Sequence, residues 1–268
     1  MTTPDDLTAL DTHFAFGENW AAYARLVDQP AIDAAERGLL KLIPAAQLAG
    51  ATFLDIGCGS GVHSLAAWRL GISRLHALDI DPKCVETTTA LLSKYQVAIP
   101  YQAQPASIFD VSPESLGQFD IVYSWGVLHH TGNMRAAIAK AASLVKPSGL
   151  FALALYRRTW LDPLWVAEKR WYAQASPKGQ RLAQRTYDGL YRLAVRVTGR
   201  KTTMVRGMDY WHDLHDWLGG YPYEAILAPE LDAMLSSLGF TPERVFARGK
   251  SLGLFGSGCD EYVYRKHA

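Results

Sequence analysis

Asp55, Gly57, Gly59 and Gly61 stand at alternate positions in Phe53-Leu54-Asp55-Ile56-Gly57-Cys58-Gly59-Ser60-Gly61. An apolar run leads into this stretch, and a helical pattern from Val62 to Ala67 leaves it. The pattern predicts a strand turning tightly into a helix. Glycine tolerates positive φ there and lets backbone N–H groups come close to a ligand. The dinucleotide fingerprint G-x-G-x-x-G needs its last glycine at position 62, which is Val62. Asp55 would repel a pyrophosphate and attract a cationic or hydrogen-donating group. The turn therefore suits a ligand with an amino group and no phosphate. Asp79, at the end of the next predicted strand, is placed to accept two ribose hydroxyls, with Ile80 beside it for an adenine face.

Groups able to move a proton lie further along. His129 and His130 follow the fourth predicted strand. His212, Asp213, His215 and Asp216 form a second cluster. On a helix His212 and Asp216, at i and i+4, share a face. That spacing also occurs in metal sites, but no third ligand presents itself, so no metal is expected. Aromatic residues accompany both ends: Phe16, Trp20 and Tyr23 at helical spacing before the first strand, and Trp217, Tyr221 and Tyr223 after the second cluster.

The elements that must position these groups read as α/β. Strands are expected at Ala51–Ile56, Arg74–Asp79, Tyr101–Gln104, Phe119–Ser124 and Leu150–Leu155. Helices fall between them over Gly61–Leu70, Pro82–Tyr95 and Asn133–Val145, the last with Ala136, Ala137, Ala141 and Leu144 inward. Such alternation predicts a doubly wound, mostly parallel sheet with helices on both faces. Residues 1–48 are expected to form an N-terminal helical cap, frayed over 1–13. Residues 49–156 form the ligand-binding core. A helical insertion follows over 157–224, and residues 225–268 return to the core with a helix and two last strands.

The chain has 268 residues, 49% of them hydrophobic, and a formal net charge of +1. That size supports a substantial core, and the even charge counts against a nucleic-acid binder. Cys58, Cys84 and Cys259 are odd in number and lack CxxC spacing, so reduced thiols and a cytoplasmic location are expected. No run is long and apolar enough for a membrane span, and the first residues carry acids where a signal peptide carries bases.

Four motifs in order carry a resemblance. Asp55-Ile56-Gly57-Cys58-Gly59-Ser60-Gly61 is similar to the first motif of the class I S-adenosylmethionine-dependent methyltransferases, and Asp79 matches that family's ribose-binding acid. Phe119-Asp120-Ile121-Val122-Tyr123-Ser124-Trp125-Gly126-Val127-Leu128-His129-His130 resembles the fourth-strand motif. Leu144-Val145-Lys146-Pro147-Ser148-Gly149-Leu150 resembles the turn before the fifth strand. The match spans roughly residues 50–156 plus the last helix and two strands. It implies a seven-stranded sheet with a reversed last hairpin and S-adenosylmethionine as cofactor, leaving S-adenosylhomocysteine. By position, Asp55 and the backbone of Gly57, Cys58, Gly59 and Gly61 would hold the methionine part. Asp79 and Ile80 would hold the nucleoside, Ser107 and Ile108 would lie at the adenine, and Ser124 and Trp125 would lie beneath the cofactor.

The Phe14–Tyr23 and Asp216–Glu224 stretches resemble a bacterial subgroup close to quinone and small-molecule O-methyltransferases. The implied activity is methyl transfer to a small-molecule acceptor, with oxygen as the expected atom. Alternatives are a protein or RNA methyltransferase and a non-catalytic S-adenosylmethionine binder. Asp55 and Val62 weigh against a nicotinamide dehydrogenase. Candidate catalytic residues are His129, His130, His212 and Asp216. Phe16, Trp20, Tyr23, Trp217, Tyr221 and Tyr223 are candidates for the acceptor site, with no membrane partner expected.

Overall fold

A computed structural model describes residues 14, 16–199, 210–249 and 251–268. The expectation for residues 1–13 lies outside the described residues, as does residues 200–209 of the predicted insertion. Three helices come first: α1 (Phe16–Ala24), α2 (Gln29–Leu42) and the short α3 (Ala45–Leu48). Asp28 starts α2 by accepting the Ala31 N–H at 3.0 Å, which satisfies one of the first-turn donors. The inward residues of α2, Ile32, Ala35, Leu39 and Leu42, recur at helical period and are wholly buried.

The core follows in strict alternation. It runs β1 (Thr52–Ile56), α4 (Val62–Arg69), β2 (Arg74–Asp79), α5 (Pro82–Lys94), β3 (Tyr101–Pro105), the short α6 (Pro113–Leu116), β4 (Phe119–Trp125), α7 (Met134–Ser143) and β5 (Val145–Tyr156). Asp81 caps α5 through the Lys83 N–H at 2.9 Å, with Pro82 following it where a missing donor costs nothing. After β5 come α8 (Asp162–Gln174), α9 (Pro177–Thr198) and α10 (Tyr210–Gly219), then α11 (Ala228–Ser237), β6 (Phe240–Phe246) and β7 (Cys259–Lys266).

The seven strands order as β3-β2-β1-β4-β5-β7-β6. The first five are parallel, and β7 is antiparallel to both β5 and β6. Both faces are covered, as parallel sheets require. Phe53 and Leu54, adjacent on β1, fall into different core clusters, one under α2, α4 and α5 and the other under α7 and α11. A third cluster joins Tyr156 at the end of β5 to Trp165, Tyr172, Leu214 and Leu218 of the inserted helices.

Two local readings change. β5 begins at Val145, not Leu150, because Val145 already pairs with Phe119; the Lys146–Gly149 turn is an irregularity inside the strand. The inward face of α7 is Met134, Ala137, Ile138, Ala141 and Ala142. Ala136 is only half-buried, because the helix presents its longer side chains, Met134 and Ile138, to the sheet.

Candidate active site

The turn between β1 and α4 needs its glycines. Gly57, Gly59 and Gly61 all have positive φ, of 77°, 53° and 78°, a region that costs other residues energy. Space is equally short. A Cβ on Gly57 would lie 2.3 Å from the Val127 side chain, and one on Gly61 2.9 Å from the Thr88 backbone. The N–H groups are less available than the sequence suggested. Those of Gly57 and Cys58 donate to the Leu78 carbonyl at 2.7 and 3.0 Å, and that of Gly61 donates to Cys58 at 2.8 Å. The Gly59 N–H donates to Asp79 Oδ2 at 3.0 Å. The glycines thus fold the turn tightly against β2, and its open face offers shape more than donors.

Asp79 is held at this junction. Its Oδ1 accepts the Asp81 N–H at 3.0 Å while Oδ2 accepts that of Gly59. Burial nevertheless pushes its carboxyl up to about 6, because these two bonds only partly offset the lost hydration. Cys84 is a third hydrogen-bond partner of this carboxylate, which lies on the wall of a cavity of about 780 Å³. Two adjacent hydroxyls fit that carboxylate, and a phosphate does not. Ile80, Ser107, Ile108 and Phe109 continue the wall beside it. Asp55 stands behind the turn instead. It is 2% exposed, accepts the Ser64 hydroxyl at 2.6 Å and is pushed up to about 7 by burial.

The cavity then passes under α1. Phe16, Trp20 and Tyr23 form its roof, and the virtual Cβ of Gly59 sits 3.3 Å from the Trp20 ring. α1 is tied down on both sides. The Gly17 N–H donates to Asp81 at 3.0 Å, and Asn19 Nδ2 donates to Asp216 Oδ1 at 2.5 Å and to the His212 carbonyl at 3.0 Å. Trp125, His130, Tyr156, Asp213, Asp216 and Trp217 line the chamber beyond.

The remaining sequence candidates stand off the wall. Ser124 is fully buried and donates to the Ile56 carbonyl at 3.1 Å, stitching β4 to β1. His129 is buried under Tyr156, accepts the Tyr156 N–H at 3.3 Å through Nδ1, and is held neutral by burial. His212 contributes its carbonyl to the α1 tie. Tyr221 contributes its carbonyl to Phe14. Tyr223 is 6% exposed, packs on Tyr156 and donates to Asp162 at 3.1 Å. Among the described residues no cluster of three metal ligands occurs.

His130 and Asp216 are the catalytic candidates that the fold brings to the cavity. His130 Nδ1 lies 2.7 Å from the Pro222 carbonyl, which can only accept, so Nδ1 donates. Burial raises the Asp216 carboxyl well above the usual range, against the opposing Asn19 bond, and a neighbouring Asp213 adds to the rise. Residues that sequence reasoning did not single out also line the wall: Arg37, Lys41, Tyr187, Arg248, Phe255 and Glu261. Arg37 and Lys41, one turn apart on a helix, carried the one local signal.

Residues 54–153 match a family model described as a methyltransferase domain. Curated relatives include the ubiquinone biosynthesis O-methyltransferase of Xanthomonas euvesicatoria pv. vesicatoria (strain 85-10), 36% identical over 134 residues, covering 50% of this chain and 55% of that one. The corresponding protein of Xanthomonas axonopodis pv. citri (strain 306) is 36% identical over 132 residues. The chain spans about half the length of the curated relatives it matches. Among solved structures, an O-methyltransferase family protein from Burkholderia thailandensis aligns with TM-score 0.57 and 15% identity, over 95% of this chain and 59% of that one. The magnesium protoporphyrin IX methyltransferase from Synechocystis PCC 6803 with bound SAH aligns with TM-score 0.51 and 16% identity, over 89% and 83%. At these identities the structural likeness concerns the fold.

Proposed function

We propose that the protein is an S-adenosylmethionine-dependent methyltransferase that methylates oxygen on a small-molecule acceptor. The observation that carries this is the continuity of the cavity from Asp79 to the chamber walled by Trp125, His130 and Asp216. A mere nucleoside binder would fill that second chamber with side chains. The ubiquinone O-methyltransferases among its relatives support oxygen as the methylated atom.

When bound, S-adenosylmethionine supplies a methyl group on a positively charged sulfur. Asp79 then accepts the ribose hydroxyls, with Ile80 and Ile108 against the base. Trp20 and Phe16, held by the Asn19 tie, close the roof and exclude water from the chamber. Asp216, in its ionised form, takes the acceptor's hydroxyl proton. Burial raises its carboxyl well above the usual range, so that form fills only as pH rises. His130, held against the Pro222 carbonyl, lines the chamber beside it. Cys58 and Cys84, buried and in no disulfide, support work in a reducing compartment, the cytoplasm.

Calorimetry with S-adenosylmethionine and S-adenosylhomocysteine tests the reading. The intact protein should bind both. Asp79→Ala should weaken binding at least about tenfold, the size of a lost pair of charged hydrogen bonds. An intact protein that binds neither compound sinks the proposal.

A further inference from the structure

The inserted helix α9 packs on the protein with one side only. Ala183 and Tyr187 turn inward to the third core cluster, and the Tyr187 hydroxyl donates to the Phe255 carbonyl at 2.8 Å. The outer side is apolar as well. Leu182, Leu190, Leu193 and Val197 stand at i, i+8, i+11 and i+15, one face of a helix, and each is more than half exposed. α8 extends that face. Leu164 and Trp171, at i and i+7, and Trp160 just before the helix are also more than half exposed. Trp171 reaches α9 one turn before Leu182, where a Cβ on Gly179 would lie 3.9 Å from its ring.

A cationic stripe runs beside the aliphatic one. Arg181, Arg185, Arg192 and Arg196 stand at i, i+4, i+11 and i+15, one residue ahead of it along α9. Of the charged residues on α8 and α9, those that are exposed are all cations: these four arginines, Arg170 and Lys178. The acids of the two helices, Asp162, Glu168 and Asp188, are mostly covered. Asp188 is engaged within the protein, by Arg192 at 2.8 Å and by the Tyr210 hydroxyl at 2.7 Å.

Exposed aliphatic side chains along a row of arginines match an apolar phase bordered by anionic headgroups. Trp160 and Trp171 suit that border, because an indole is apolar with one polar edge. A partner's helix would need a groove to lie in, whereas α9 presents its stripe as a ridge. A second copy would set this cationic face against itself. We propose that α8 and α9 dock the protein on an anionic lipid surface. α9 lies in the plane of that surface, with its aliphatic stripe inserted and its arginines at the headgroups. No helix among the described residues is long and apolar enough to cross a membrane. The expectation of no membrane partner came from that lack of a span, which a helix lying in the surface does not need. The docking stands apart from the methyltransferase reading and does not rest on it.

Co-sedimentation of the full chain with vesicles tests this. One set holds phosphatidylglycerol and phosphatidylcholine in equal parts, the other phosphatidylcholine alone. Binding to the anionic set should be at least about tenfold tighter, and added salt should weaken it. Leu190→Gln/Leu193→Gln should bind at least about tenfold more weakly than the parent chain, and Leu190→Met/Leu193→Met should bind as the parent does. Arg181→Gln/Arg185→Gln should bring binding to the anionic set down toward that to the neutral set. These side chains are exposed, so every variant should keep the parent's melting temperature. Binding to neither set, equal binding to both, or undiminished binding in either glutamine variant overturns the proposal. A melting temperature that falls in Leu190→Gln/Leu193→Gln also overturns it, because those leucines would then be packed within the protein. A chain that ignores vesicles but forms a dimer, lost in Leu190→Gln/Leu193→Gln, gives the face to a second copy instead.

Discussion

Asp55 and Asp79 are two acids in one turn with different tasks. Asp79 faces the cavity, while Asp55 is spent on Ser64. Both are raised from 3.8, to about 6 and about 7, chiefly by burial. Between pH 4 and 7 the folded chain therefore holds protons that the unfolded chain has released. Stability of the ligand-free protein should fall as pH rises through that window. Asp55→Asn removes one of the two sites, so its melting temperature should decline less steeply from pH 4 to 7 than that of the parent chain. A parallel decline would mean that Asp55 is ionised throughout. Asp216 makes a kinetic prediction. With its carboxyl raised by burial, the basic form fills only as pH rises, so kcat should climb with pH. Asp216→Asn should lower kcat at least about a hundredfold and abolish that climb, with little change in KM. A retained pH limb in the variant would assign the base elsewhere.

At the scale of elements, the turn into α4 joins three pieces: β1, β2 and α5. Gly61 and Gly199 offer a controlled comparison. Both are left-handed, with φ of 78° and 65° and ψ of 2° and 11°, but a Cβ meets the Thr88 backbone at 2.9 Å in the first and nothing within 4 Å in the second. Gly199→Ala should cost about 1 kcal/mol, the cost of the backbone conformation alone. Gly61→Ala should cost about 2–4 kcal/mol and weaken cofactor binding, because α5 must also shift. Urea unfolding of the two variants measures the difference. Equal losses would show that α5 yields freely.

Across the whole molecule, two of the inserted helices, α8 and α10, are tied to each other through Lys169. This lysine is wholly buried on α8. Its ammonium donates to the Trp217 carbonyl on α10 and lies 3.6 Å from the Trp217 ring centroid. Burial holds its pKa below the usual 10.5, against the opposing charge of Glu168. In the alkaline range up to 10.5 the unfolded chain holds the proton more tightly than the folded one. Stability from this group should therefore rise with pH there. Lys169→Met should flatten that rise and leave the melting temperature at pH 7 equal or higher. Lys169→Ala, which leaves a cavity, should lower stability by about 2–4 kcal/mol. A Met variant as damaged as the Ala variant would show that the charge itself holds the helices.

Much of the core was legible because its signals are local. A strand entering a glycine turn, an acid ending the next strand and a proline opening a helix each act within a few residues. Their order, repeated, implies the parallel sheet. Phe16, Trp20 and Tyr23 were legible as one helix face, and the structure sets that face over the cavity. Periodicity reports which face of an element is covered, but not by what. Ser124 looked like a site residue through the fourth-strand motif and Tyr223 through the turn at Gly219–Pro222, yet their hydroxyls are spent on Ile56, and on Asp162 and Ser257.

By itself, then, the sequence determined the class of ligand at the turn. Val62 breaks the dinucleotide fingerprint and Asp79 ends β2 where a pair of hydroxyls suits its carboxylate, both readable at fixed chain positions, whereas Asp55 stands behind the turn on Ser64. Tertiary structure alone decided which distant side chains line the cavity. Lys41 meets Glu261 across 220 residues of chain. Arg37 and Arg248 share a wall only because α2 packs at the β6–β7 margin. Contacts of that range depend on how whole elements pack, and no local pattern encodes them.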